Sequence, residues 1–171
     1  MPRSPRLSRS RARPTSARKS TDQKRNGEVA ELCFAHRAAQ LGLIVSKPYG
    51  DSAPYDFVVE GGGKLRRVQV KSASVVDGNS YHVNAGHGAS NKRQYGPRQV
   101  DVLAAYVAPE EAWYLIPREK LGGRKTIRMA PHREGNGRLE RFRERWTVLG
   151  APQRELTLET CELARRPGRT P

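Results

Sequence analysis

The 171-residue sequence is short of the residues that build covalent frameworks and thick cores. Its two cysteines, Cys33 and Cys161, are too few for a disulfide scaffold or a cysteine-rich zinc site. Aromatic residues make up 6% and hydrophobic residues 36%, thin for one core of the full length, so part of the chain is expected to lie outside it. No apolar run approaches the ~20 residues of a membrane-spanning helix. The Arg/Ser/Pro-rich start has no apolar stretch of the kind a secretory signal carries. A membrane protein and a secreted one are both disfavoured, and a cytoplasmic protein is expected. Acidic residues are scarce as well: 17 Asp and Glu face 32 Lys and Arg, a formal charge of +15. Such an imbalance suits a polyanionic partner, most simply nucleic acid.

The charge is unevenly placed. Residues 1–25 carry nine basic residues against Asp22 alone, residues 26–117 are balanced at nine of each sign, and residues 118–171 hold fourteen basic against seven acidic. A neutral body therefore lies between two basic flanks. Residues 1–21 combine Pro, Ser and Arg with almost nothing to bury and are expected to form a disordered basic arm. One domain is expected over 22–150, with 151–171 a partly disordered extension.

Thr21 and Asp22 can cap a helix from about Gln23 to Gln40, stopped by Gly42. Val29, Leu32, Cys33, His36, Ala39 and Leu43 read as its buried stripe, with Phe34, Ala38 and Leu41 as a second apolar side, so burial on both faces is expected. Short strands follow at 43–45, 55–60 and 65–72, the last two joined by Gly61-Gly62-Gly63 as a hairpin. Residues 77–98 read mainly as loop, 100–107 and 112–116 as strands, and 138–146 as a short basic helix. The order makes an α/β or α+β single domain without internal repeats.

The hairpin carries the candidate chemistry. In Val68-Gln69-Val70-Lys71 the side chains alternate, so Gln69 and Lys71 share one face while the valines enter the core. Pairing across the glycine turn brings Asp56 beside Gln69. A carboxylate, an amide oxygen and an ammonium group at one sheet end suit metal-dependent phosphodiester hydrolysis. The spacing also fits an ordinary amphipathic hairpin. Tyr81-His82-Val83-Asn84 and His87 lack zinc-type partners and read as strand edge and loop. Ser90 to Tyr95, with Lys92 and Arg93, and Arg98 beyond it, read equally as a DNA-contacting loop or a solvated one. Asp101, inside an apolar strand, requires a partner if buried.

Taken together, Gly27-x-x-x-Glu31, Pro48-Tyr49-Gly50-Asp51, Tyr55-Asp56 and Arg67-Val68-Gln69-Val70-Lys71-Ser72 resemble the PD-(D/E)xK nuclease superfamily. Within it they are similar to the homing endonucleases associated with group I introns, where Gln replaces the motif's acidic residue. Tyr95, Val100-Asp101-Val102, Ala105-Tyr106-Val107 and Tyr114-Leu115-Ile116-Pro117 extend the resemblance over about 23–120. It implies an N-terminal helix followed by a mixed sheet, and a Mg²⁺-dependent endodeoxyribonuclease, with Mn²⁺ able to substitute and no small-molecule cofactor. Asp56 would be the central metal-binding carboxylate, Gln69 and the Val70 carbonyl further ligands, Lys71 the catalytic lysine and Glu31 the helix carboxylate. Glu28 competes with Glu31 for that last role. Ser72, Lys92, Arg93, Arg98, Arg18 and Lys19 would contact nucleic acid. The partner would be double-stranded DNA, the protein nucleoid-associated when bound, and the assembly a homo-oligomer, dimer or tetramer, because two strands need two sites.

A Holliday-junction or repair nuclease, a restriction- or defence-associated nuclease, and a catalytically inactive nucleic-acid-binding protein with the same fold are the alternative readings. The basic flanks are expected to supply salt-dependent, sequence-independent affinity rather than chemistry. Removing residues 1–21 should therefore weaken DNA binding more than it slows cleavage at saturating protein, measured by gel shift and nicking rate on the same duplex.

Overall fold

The computed structural model describes residues 16–73, 76–77, 80–87, 93–132 and 137–152. Helix α1 spans Ser16–Gln40 and is followed by β1 (Ile44–Ser46), β2 (Phe57–Gly61) and β3 (Lys64–Ala73). Then come β4 (Val76–Asp77), β5 (Ser80–Asn84), β6 (Gly86–His87) and β7 (Arg93–Gln94). Strands β8 (Val102–Val107), β9 (Ala112–Pro117) and β10 (Thr126–Met129) complete the set. The main sheet has the order β1-β2-β3-β8-β9, a second sheet the order β10-β5-β4, and β6 pairs with β7. Within the main sheet only β3 and β8 run parallel. The α+β expectation of a helix followed by a mixed sheet holds.

Strand alternation builds two cores. Val68 and Val70 of β3, Val102 and Ala104 of β8, and Trp113 and Leu115 of β9 face α1. Leu103, Ala105, Tyr114 and Ile116 face the other way, against Tyr81 and Val83 of β5 and Ile127 and Met129 of β10. Strands β8 and β9 are covered on both sides, which is why they read as near-continuous apolar runs. The layers are helix, mixed sheet and small antiparallel sheet. At the β2–β3 turn Gly61 pairs with Lys64. Gly62 and Gly63 take φ of +57° and +69°, the positive values a two-residue hairpin turn requires.

Several expectations fail on long-range grounds. Helix α1 starts at Ser16, ahead of the expected Thr21-Asp22 cap. Its buried stripe is Ala30, Phe34 and Ala38, with Phe34 stacked 5.4 Å from Phe57 and 5.7 Å from Trp146. Val29 and Leu32 face outward, 48% and 72% exposed, so the helix is covered on one side only. His36 is exposed rather than packed. The 77–98 stretch contains strands β5 to β7, with β5 finding β10 as a partner far along the chain. In place of a helix at 138–146 there are short 3₁₀ turns, Glu140–Phe142 and Trp146–Leu149, that insert Phe142, Trp146 and Leu149 into the cores.

Asp101 finds its partner in Arg67, which donates Nη2–H to Oδ1 at 2.8 Å and Nε–H to Oδ2 at 2.9 Å. The Arg67 main-chain N–H also reaches Oδ2, at 2.8 Å. The guanidinium further donates to the carbonyls of Pro97 and Arg98, clamping the segment before β8 onto β3. Hydrogen bonding to Arg67 holds the Asp101 carboxyl below its ordinary value of 3.8. A depressed carboxyl contributes stability above its unfolded value and loses it as pH falls through the folded one. Asp101→Asn should cost about 1–2 kcal/mol near neutrality, with the gap to the parent closing below the ordinary carboxyl value of 3.8, followed by urea unfolding across pH.

Candidate active site

The β2–β3 register pairs Phe57 with Val68, and Asp56 continues it by donating its N–H to the Val68 carbonyl at 3.0 Å. This sets the Asp56 carboxylate over the next residues of β3. One oxygen, Oδ2, accepts from the Val70 N–H at 2.7 Å and from Gln69 Nε2 at 2.5 Å. Gln69 Nε2 also lies 3.3 Å from the Val70 carbonyl oxygen. Gln69 and Lys71 share the half-buried face of β3 while Val68 and Val70 are buried, as alternation requires.

Asp56, Gln69, Val70, Lys71 and Ser72 line a cleft of about 640 Å³. Helix α1 supplies one wall through Gln23, Asn26, Gly27 and Glu31, and β5 supplies the other through His82 and Asn84. The helix side follows from periodicity. The stripe that buries Ala30 and Phe34 continues toward the N-terminus as Gly27 and Gln23, where the sheet no longer covers it. Glu31 therefore reaches the cleft, whereas Glu28 is exposed and lines a neighbouring apolar groove.

Burial raises the Asp56 carboxyl above its ordinary value, and the charge of Glu31 adds to the rise. The Val70 N–H and the charges of Lys71 and Lys47 oppose it. Glu31 accepts from Lys47 Nζ at 2.7 Å, a pair whose lysine is 63% exposed and whose carboxylate is 26% exposed. That hydrogen bond raises the Lys47 ammonium above its usual value. Lys47 also lies 5.7 Å from the centre of the Phe57 ring.

The donor set fits a hard divalent cation: two carboxylates, an amide and a main-chain carbonyl, all oxygen, with no soft ligand. Two carboxylates share a partly desolvated cleft, and a cation would relieve both their repulsion and the burial of Asp56. No three His, Cys, Asp or Glu side chains converge among the described residues, because the third position is Gln69.

Of the sequence-predicted site, Glu31, Asp56, Gln69, Val70, Lys71 and Ser72 come together. Arg93 and Arg98 are exposed and line no part of the cleft, and the Arg98 carbonyl is held by Arg67. Lys92 lies outside the described residues, and Arg18 and Lys19 fall in the first turn of α1. Tyr95 is no surface contact. It is buried, donates to the Gly86 carbonyl at 3.3 Å, and burial pushes its hydroxyl up to about 12. Sequence reasoning missed Lys47, whose partner is 16 positions away, and set aside His82 and Asn84, which β5 carries into the cleft. Their outward alternation with Tyr81 and Val83 was the available signal.

The pattern of the PD-(D/E)XK endonuclease family matches residues 21–149. Among solved structures the chain is similar to a bacterial homing endonuclease, I-Ssp6803I, at 29% identity over 74% of this chain and 90% of that one, with a TM-score of 0.63. No curated protein matches the chain. The cleft lies wholly inside the matched residues, and this protein belongs to the PD-(D/E)XK endonuclease family.

Proposed function

We propose that the protein is a Mg²⁺-dependent endonuclease of double-stranded DNA, of the homing-endonuclease kind, with Mn²⁺ able to substitute. The observation that carries this reading is the convergence of Asp56, Gln69, Lys71 and Glu31 in one cleft. Asp56, Glu31, the Gln69 amide oxygen and the Val70 carbonyl would hold the cation. When bound, it would polarise the scissile phosphate and lower the pKa of a bound water. Asp56 is oriented for this by the Val70 N–H, which leaves Oδ1 free of that bond. Gln69 donates to Asp56 in the free protein, so ligation requires its amide to turn and present Oε1. Lys71 brings its ammonium group into the same cleft, where it orients the attacking water and offsets charge developing on the phosphate. Cutting both strands takes two such sites. The exposed Leu32 and the groove it lines with Ala35, Ala39 and Val45 support association with a second copy, as a dimer or tetramer.

An inactive DNA-binding protein with this fold is the second reading. The neutral Gln69 and the occupation of Glu31 by Lys47 favour it. Supercoiled plasmid incubated with Mg²⁺, with Mn²⁺ and with EDTA separates the two. Nicking is expected with either metal and not with EDTA, and Asp56→Asn or Lys71→Ala should lower the rate about 10³-fold. Binding without cleavage of any substrate would leave the second reading standing.

Only two carboxylates attract the cation in the free protein, and one of them is already paired. Calorimetry should therefore find weak Mg²⁺ binding without DNA. Lys47→Met releases Glu31 and removes a repelling charge, so it should tighten Mg²⁺ binding about three- to tenfold. Because the pair is largely exposed on its lysine side, the substitution should change folding stability by no more than ~0.5 kcal/mol.

A further inference from the structure

Strands β5 and β10 form an antiparallel ribbon with one apolar and one polar face. Tyr81, Val83, Ile127 and Met129 are buried against the main sheet. The outward positions are directly paired, Asn84 with Thr126 and His82 with Arg128. Opposite residues in such a ladder place their Cβ atoms about 5 Å apart on one face. Thr126 and Arg128 are exposed, His82 and Asn84 half-buried. The outward residues of β5 and β10 include no carboxylate.

Two further observations give this face a direction. His82 and Asn84 also line the cleft that holds Asp56, Gln69 and Lys71, so the polar face begins at the proposed site of cleavage and runs outward across β10. At the outer edge, Arg124, Arg128 and Arg138 line one concavity beside Thr126. The ion pairs among the described residues, Lys47–Glu31 and Arg67–Asp101, involve none of these arginines. Arg124 and Arg138 converge on Gly122, where an added Cβ would lie 3.1 Å from Arg138 Nη2 and 3.5 Å from Arg124 Nη1.

We propose that the β5–β10 ribbon enters the DNA major groove next to the cut phosphate and reads base identity, with Asn84 and Arg128 as the specificity-determining residues. The inference rests on the endonuclease reading for its choice of duplex DNA. The major groove, about 12 Å wide, admits a two-stranded ribbon. An amide matches the N6 and N7 edge of adenine, and a guanidinium matches the O6 and N7 edge of guanine. Thr126, between them on the same face, can bond either kind of edge or touch a thymine methyl. Arg124 and Arg138, at the ribbon's border, fall where backbone phosphates pass and fix register rather than sequence. His82 sits opposite Arg128, 3.1 Å from Ser80 Oγ through Nε2, and supports the inner edge of the face.

The test uses the full chain carrying Lys71→Ala, so that duplexes are bound and not cut. Duplexes selected from a randomised library are sequenced for this parent and for versions with Asn84→Ala, Arg128→Ala, Arg128→Lys or the charge-matched control Lys64→Ala, each checked for folding by thermal melting. The parent should enrich a motif. Arg128→Ala and Arg128→Lys should each flatten preference about tenfold at the same base position, and Asn84→Ala at a different one. Arg128→Lys should keep the parent's salt dependence, since the charge remains and only the planar fork is lost. Lys64→Ala should leave the motif intact. An unchanged motif in folded Asn84 and Arg128 variants overturns the proposal, as does a parent that enriches no motif. Plasmid nicking by the unmodified chain is scored separately. Nicking with an unchanged motif in the variants removes the ribbon's role and leaves the endonuclease. A motif lost in the variants, from a chain that never nicks, removes the endonuclease and leaves the ribbon as the reader.

Discussion

One carboxylate oxygen, Asp56 Oδ2, accepts hydrogen bonds from the main chain of Val70 and the side chain of Gln69. This double acceptance exists because β2 and β3 pair in a single register, set by the glycine turn and by the valines that must enter the core. A slip of one residue would send Gln69 and Lys71 into the apolar layer under α1 and Val70 into the cleft. The register that satisfies the core is thus the one that assembles the site. The parallel pairing of β3 with β8 then anchors this hairpin to a strand covered on both faces.

Around that anchor the electrostatics divide into two kinds of contact. Arg67 and Asp101 form a bidentate pair, tied to the main chain on both sides, which holds β3 against the approach to β8. It is structural: its groups bond each other and the neighbouring main chain of Pro97 and Arg98. Lys47 and Glu31 meet through one bond at the cleft's edge, and Glu31 faces the same space as Asp56. A single exposed bond is easily exchanged. The chain therefore keeps its fold-bearing ion pair bidentate and its site carboxylate on a replaceable partner, so the cleft's charge can change without disturbing the sheet.

The site is built on strands and a helix, with Asp56 contributed by the residue just ahead of β2, and three layers contribute to it. Burial of the Asp56 carboxyl, the helix wall and the β5 wall all come from the way these layers close on one another. The same closure gives the small sheet its two characters, apolar inward where it completes the second core and polar outward where it extends the cleft.

What could be read along the chain was what short-range geometry controls. Alternation told that Gln69 and Lys71 share a face and that Val68 and Val70 do not, and the triple glycine told that Asp56 returns beside them, because a strand's period and a tight turn's reach are local properties. The helix was recognisable too, but its buried side was not. Val29 and Leu32 are more apolar than Ala30 and Ala38, yet the sheet lies against the small residues, since only they let the helix approach closely enough for Phe34 to reach Phe57 and the tryptophans. The strand at 80–84 looked like loop because its partner at 126–129 is remote and its outward residues are polar. Lys47 carried no local mark at all. Composition, period and turn chemistry thus determined the hairpin and the order of the polar groups along it. Which helix face meets the sheet, which lysine meets Glu31 and which strand walls the cleft are energies of contact between distant segments, and those exist only once the chain has closed.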